Sequence, residues 1–496
     1  MEKNIERSIA NNGSSNISQQ DQFSNSASND QEANVLSWDE DDPEHPYQWP
    51  AWRTRLNLTL ISCMTFLTPL ASSIFAPGVP QLVKEFHSTN LEIASFVVSV
   101  YVLGFAAGPL VLAPLSELYG RLPIYHISNV GFIAFTVGCA LAPSLGSLIA
   151  FRLIAGIFGS CPITVGAGSI NDMVPQEKRT TAIAFFAIGP LLGPVVGPVA
   201  GGFLAGAKGW RWTFWLLVIA GGALSLVALV LMSETYHPVL LRRKVAKIQA
   251  QTGNKDLRSK FDLNLSPGAL FKRNIIRPLK MLALSPIMMI MSLYIAVTYG
   301  YLYLMFTTIT QVFQETYGFS TSLVGLAFLG LGIGSLLGIV VYTVISAKYV
   351  QKHSDKKSTA PLKPEFRLIT LPLGAILLPA GLFIYGWTAQ YKVHWIVPII
   401  GMGITGIGTI VIFMGILAYL IDAFTIYSAS AIAANAVVRS IASAVLPLAG
   451  LPMYARLGVG WGNSVLGFIA VALIPVAILI IKYGEYLRNR FEIKNL

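Results

Sequence analysis

Long apolar runs fill most of the chain from Arg55 to Lys482, separated by polar or charged breaks. A helix rises about 1.5 Å per residue, so about 20 apolar residues cross the roughly 30 Å hydrocarbon layer of a bilayer. Twelve runs reach that length, near 56–76, 93–114, 124–142, 147–170, 181–204, 211–232, 285–312, 322–347, 368–388, 395–418, 429–452 and 461–482. The break between the sixth and seventh is long, basic and polar, so the pattern predicts six spans, a linker and six more. The expected division is a cytosolic tail over 1–50, a first half over 51–233, a central loop over 234–284, a second half over 285–483 and a short tail over 484–496. The fold class is an all-α membrane protein with twelve transmembrane helices.

The first 50 residues break the pattern. NNGSSNISQQDQFSNSASND has hardly any large apolar side chain, cannot offset the entropy of ordering, and reads as a disordered tail. It also lacks the apolar core of a signal peptide.

Composition agrees with the pattern: 54% of the 496 residues are hydrophobic and 12% charged, against about 25% charged in a soluble domain. Charge fixes the expected orientation. Of 35 Lys and Arg, 28 fall in the tails and loops on the linker side, five (Lys84, Lys208, Arg211, Lys392, Arg456) on the other, and Arg152 and Arg439 inside helices. The positive-inside rule puts the linker and both termini in the cytosol. The net charge of +11 then faces anionic lipid, with no call for nucleic acid as a partner.

Enzyme signatures are missing. Gly-Lys never occurs, which excludes a Walker P-loop, and there is no H-E-x-x-H. Gly330, Gly332, Gly334 and Gly338 sit in one apolar run and read as helix packing. Cys63, Cys139 and Cys161 lie in separate spans and give no metal pattern. No cofactor and no enzyme activity are expected.

The charges inside the spans are the first functional signal. Arg439 falls about ten residues into the eleventh run, roughly 15 Å deep, and Arg152 about five into the fourth. A charge at such depth faces a cavity or finds partners, in the bland case backbone carbonyls. No Asp or Glu lies equally deep; Glu117, Asp172, Glu315 and Asp422 all sit at span ends. An interior with two arginines and no acid disfavours polycations and suits neutral or weakly acidic amphiphiles. Tyr299, Tyr303, Phe306 and Thr310 share one face of the seventh span, and aromatics with polar tips hold varied flat molecules. They are read as a cavity wall, joined by Asn435 and Arg439, one turn apart on the eleventh span.

GPLLGPVVGPVAGGF, Gly189 to Phe203, places glycine at every fourth position and proline beside three of them. The glycines form a smooth stripe for a close neighbour, and Pro190, Pro194 and Pro198 each remove a helix hydrogen bond. Gly193, Gly197, Pro198, Gly201 and Gly202 resemble the fifth-helix antiporter motif of the major facilitator superfamily. APLSELYGR, Ala113 to Arg121, is similar to that family's motif at the end of the second helix, with Leu115, Glu117, Gly120 and Arg121 in register. Arg152 and Gly156 match its fourth-helix pattern. GWRWTFW, SETYHPVLLRRK, YLIDAF and PLAGLPMYARLG look like the fungal drug:proton antiporter branch, and the resemblance covers about 45–490.

The resemblance implies a major facilitator fold, two six-helix halves around a central cavity, working by alternating access. It links Arg152 to proton transfer. Glu117, Arg121, Asp172 and Arg179 form the expected proton-coupling and gating group, read mainly as an ion-pair network that locks one access state. In YHPVLLRRKVAKIQ, Tyr236 to Gln249, basic residues alternate with Val239, Leu240, Leu241 and Val245, predicting an amphipathic helix on the inner leaflet that braces the link between halves. The expected function is export of drugs, toxins or metabolites from the cytosol across the plasma membrane by a monomer, driven by inward proton flow. A polyamine exporter, a nutrient importer and a non-transporting sensor are the alternatives.

Overall fold

The computed structural model describes residues 35–38, 42–88, 90–253, 257–261, 267–353 and 364–491. Among them, eleven helical stretches are long and apolar enough to cross a bilayer: Ala51–Glu85, Glu92–Tyr119, Arg121–Ala140, Leu145–Met173, Thr181–Lys208, Arg211–Leu231, Pro286–Tyr317, Thr321–Tyr349, Pro364–Gln390, Ile396–Ala423 and Ser428–Arg490. The last has 63 residues, about 95 Å if straight and far more than one crossing needs. It is broken at Gly458, where φ is 78° and ψ 168°. That left-handed geometry favours a residue without Cβ. Gln390 seals the corner by accepting from the Gly460 N–H at 3.2 Å, and Tyr454 donates across it to Asn463 at 3.0 Å. The stretch is therefore two antiparallel helices, and the chain has twelve spans, numbered 1 to 12 here in chain order.

The halves repeat. Arg121, opening span 3, pairs with Asp172 near the end of span 4 at 3.1 Å. Six spans later Arg367, in the first turns of span 9, pairs with Asp422 near the end of span 10 at 2.8 Å. Parallel repeats of this kind place a binding region at their interface.

Helix Gln176–Lys208, which carries span 5, runs unbroken through Pro190, Pro194 and Pro198. Its glycine stripe packs within its own half. A Cβ on Gly189 would lie 2.9 Å from the Phe66 nitrogen and one on Gly193 2.8 Å from the Leu70 nitrogen. At Gly197 and Gly201 it would overlap Ser73 Oγ and the Ile74 carbonyl oxygen. The stripe is thus the seat of span 1. Gly202, one residue round the helix, touches the other half, where a Cβ would lie 2.9 Å from the Gly325 Cα of span 8. Closure between halves on span 5 therefore runs along the Gly202 side, with Gly206 meeting Ser322 and Val195 meeting Gly332. On span 8, Gly330, Gly334 and Gly338 pack against Ile399, Gly403 and Ile407 of span 10, which is the helix packing expected of them.

The tail departs from expectation over its last third; residues 1–34 lie outside the described residues. Val35–Leu36 pairs in parallel with Arg258–Ser259 of the linker. Asp42 is ion-paired to Lys244, the His45 ring meets the His237 ring at 4.6 Å, and the Tyr47 hydroxyl donates to the Asn171 carbonyl at 3.1 Å. Residues 42–50 are therefore a docked strap, because the linker supplies the partners their own composition lacks.

The linker also differs in detail. Helix His237–Thr252 forms, but Val239, Leu241 and Val245 are buried inside the protein, so its apolar face is covered by the protein itself. The link between halves is braced instead by a second linker helix, Pro267–Leu284. Its Asn274 donates to Glu117 of span 2 at 3.2 Å, and its Arg277 lies 5.1 Å from the Tyr427 ring at the start of span 11.

Candidate functional site

Three sets of side chains occupy the interface and the linker face. The first is built on Gly120, whose φ of 102° turns the chain between spans 2 and 3. The turn presents two N–H groups at the start of span 3, and the Glu234 carboxylate accepts both, from Arg121 at 2.9 Å and Leu122 at 3.1 Å. A carboxylate there also meets the positive end of the helix. Glu234 is 5% exposed and further accepts from the Thr235 and Tyr236 N–H groups at 3.0 and 2.9 Å. It was not among the acids singled out from the sequence, although SETYHP was; its signal was an acid at the end of span 6 beside a motif that needs a cap.

The Arg121 side chain, thus anchored, reaches Asp172 at 3.1 Å and Ser116 at 2.7 Å and stacks over Tyr236 at 4.5 Å. Of the expected network, Arg121 and Asp172 form the ion pair. Glu117 is turned to Asn274 of the linker. Arg179 is not ion-paired in this group: its guanidinium donates to the Tyr47 hydroxyl and the Asn171 carbonyl, both at 3.3 Å, and holds the strap. The chain direction after Pro175 sends it toward the tail.

The second set surrounds Arg152, 1% exposed. One guanidinium nitrogen donates to the carbonyls of Ala71 at 3.5 Å, Ser72 at 3.3 Å and Val98 at 3.3 Å. The first α-helix ends at Ser73, so Ala71 and Ser72 belong to its last turn, whose carbonyls lack helical donors. Phe75, Tyr101 and Phe214 surround the charge at 5.2–5.6 Å. The carbonyl-bonded arginine weighed for the interior is found here.

The third set is on spans 7, 10 and 11. Arg439 lies over Tyr299 at 4.7 Å and Phe413 at 5.4 Å, and these rings meet at 5.0 Å. Asn435, one turn away, donates to Ser292 at 3.5 Å. Tyr303 shares a hydrogen bond with Ser72 of span 1 at 3.1 Å, and Phe306 stacks on Phe328 at 5.8 Å. The aromatic face of span 7 therefore points into the protein, Tyr303 and Thr310 toward the first half.

Hydrogen bonds directly between spans of the two halves are, among the described residues, Ser72 with Tyr303, Thr310 to the Ala76 carbonyl and Ser99 to the Ala444 carbonyl. All lie toward the face opposite the linker, whereas at the linker face the second linker helix makes the connection.

Comparison with known proteins follows the same lines. The sequence profile of the Major Facilitator Superfamily matches residues 61–447. The MFS-type transporter tndD of Aspergillus flavipes is 54% identical over 465 residues, 93% of this chain and 86% of that protein. The efflux pump radE of Floropilus chiversii is 49% identical over 468 residues, 94% and 87%. Among solved structures, the partially occluded inward-open xylose transporter XylE of E. coli superposes with a TM-score of 0.64 over 87% of this chain and 98% of its own, at 17% identity.

Proposed function

The chain belongs to the major facilitator superfamily, and on that premise we propose that it exports small amphiphilic compounds from the cytosol in exchange for protons. It is a multi-pass membrane transporter. The observation that carries the cycle is the asymmetry between faces: Ser72, Ser99 and Thr310 join the halves on one side, while a linker helix spans the other. With the basic linker face in the cytosol, the structure is closed to the outside, and substrate enters from the cytosol between spans 7, 10 and 11 and the first half. Export, rather than import, is supported by the fifth-helix motif and by the 49% identical relative named as an efflux pump.

Asp172 and Glu117 are the proton carriers in this reading. Protonating Asp172 weakens its pair with Arg121, and that shifts the balance between access states because the two states hold the pair differently. Glu117 does the same to the linker brace through Asn274. Arg152 has no acid partner among the described residues, so we assign it to fixing the outer ends of spans 1, 2 and 4. Residues 51–233 and 285–483 work as the moving halves, in the plasma membrane and within one chain. Purified protein in vesicles should move a neutral fluorescent amphiphile against its gradient when protons flow the other way. Flux indifferent to the proton gradient would sink the coupling.

A further inference from the structure

We infer that Arg439 is an anion subsite and that the exported compounds include acidic amphiphiles, a carboxylate or acidic enol attached to a flat apolar body. The inference rests on the export reading and names the substrate class of the same interface. Arg439 stands 11 positions past the start of its helix at Ser428, about 16 Å deep. A cation at that depth is retained only with compensation. Among the described residues no carboxylate pairs with it, and none of the spans places an acid at comparable depth. Its compensation is the faces of Tyr299 and Phe413. Stacking uses the flat side of the guanidinium; of its in-plane N–H donors one is engaged by the Tyr299 hydroxyl, and the others, which match a carboxylate in a fork, are left for another acceptor.

Two further observations point the same way. Arg439 is only half-buried, whereas Arg152 is sealed and bonded to three carbonyls. The residues one turn to either side, Asn435 and Ser443, are polar on a helix otherwise rich in Ala, Val and Ile, and the buried Ser443 hydroxyl has no partner. The stripe Asn435, Arg439 and Ser443 therefore offers donors around one cation beside an aromatic wall. An anion bound there supplies the missing counter-charge, and the aromatic side chains of spans 7 and 10 take its apolar body.

The test uses pyrenebutyrate and its uncharged amide, with the full chain in nanodiscs and binding read by pyrene fluorescence. Wild type should bind the acid at least tenfold tighter than the amide. Arg439→Gln should lower that ratio at least tenfold, and Arg439→Lys, which keeps the charge without the fork, should retain an intermediate ratio. The lysine variant also guards against a merely misfolded glutamine variant. A wild type without acid preference, or a preference that survives Arg439→Gln, overturns the inference. The ratio is a binding readout, so failure of the export reading, seen as flux indifferent to a proton gradient, is told apart from failure of this site.

Discussion

Arg152 and Arg439 are the two arginines inside the spans, and the structure uses them in opposite ways. Arg152 stands where the helix of span 1 ends, and the loose carbonyls of that end, with Val98, take up the N–H groups of one guanidinium nitrogen. Arg439 stands on a continuous helix, whose carbonyls already have partners, and is left with ring faces and the Tyr299 hydroxyl. The same side chain is thus a fastener in one half and, deeper in its span, an open cation in the other. What decides is the backbone around it, not the charge.

The largest effect should come from breaking the fastener. Arg152→Met removes the two N–H groups that three carbonyls share, at about 1–3 kcal/mol for each donor lost, and should sharply lower the yield of folded protein in fluorescence-detected gel filtration. Arg439→Met should leave a monodisperse protein. Equal behaviour of the two would erase the contrast.

Next comes the glycine pair on span 5. Gly201→Val drives a side chain into the Ile74 backbone, where neither helix can yield cheaply, and should cost several kcal/mol and most of the folded protein. Gly202→Val meets the other half at Gly325, so it should fold and bind pyrenebutyrate but lose transport, being unable to close the outer face. If both variants transport normally, the packing assigned to this helix is wrong.

The repeated ion pairs sharpen the contrast at smaller scale. Arg121 and Asp172 are 10% and 15% exposed, Arg367 and Asp422 40% and 37%. Screening leaves an exposed pair worth little. Asp172→Asn should reduce proton-driven flux roughly tenfold, and Asp422→Asn less than about threefold.

The smallest effect belongs to the strap. Deleting residues 1–34 should leave transport intact, while deletion through residue 50 removes the contacts to Lys244, His237 and Asn171 and should lower thermal stability by a few degrees. His45 is held below the ordinary imidazole value, first by burial and then by His237, with Asp42 opposing. Its folded pKa is depressed, so the docked strap binds fewer protons than the free one. Its stability is full above about pH 6.5 and is lost as pH falls through the folded value. Proteolysis of the strap should therefore quicken below about pH 6.5; His45→Gln should remove that dependence.

The spans were legible because a bilayer demands long apolar runs, and the depth of Arg439 follows from counting along one. Where Arg152 would find its partners was not, since they are backbone atoms of other helices. The strap was misread because Val35–Leu36 and residues 42–50 gain order only from the linker. Glu234 was hidden by the same dependence: its role exists only where the Gly120 turn reaches it. The brace was expected of Tyr236–Gln249, whose basic run is denser, although Pro267–Leu284 also carries Lys272, Arg273, Arg277 and Lys280.

The most direct test of proton-coupled export is flux in reconstituted vesicles, above that of protein-free vesicles, for neutral, acidic and polycationic fluorescent compounds under an imposed proton gradient of either sign. Neutral and acidic amphiphiles should move against their own gradients only when protons flow the opposite way, with polycations excluded. Flux that ignores the gradient, or that favours polycations, would contradict both the coupling and the reading of an acid-free interior.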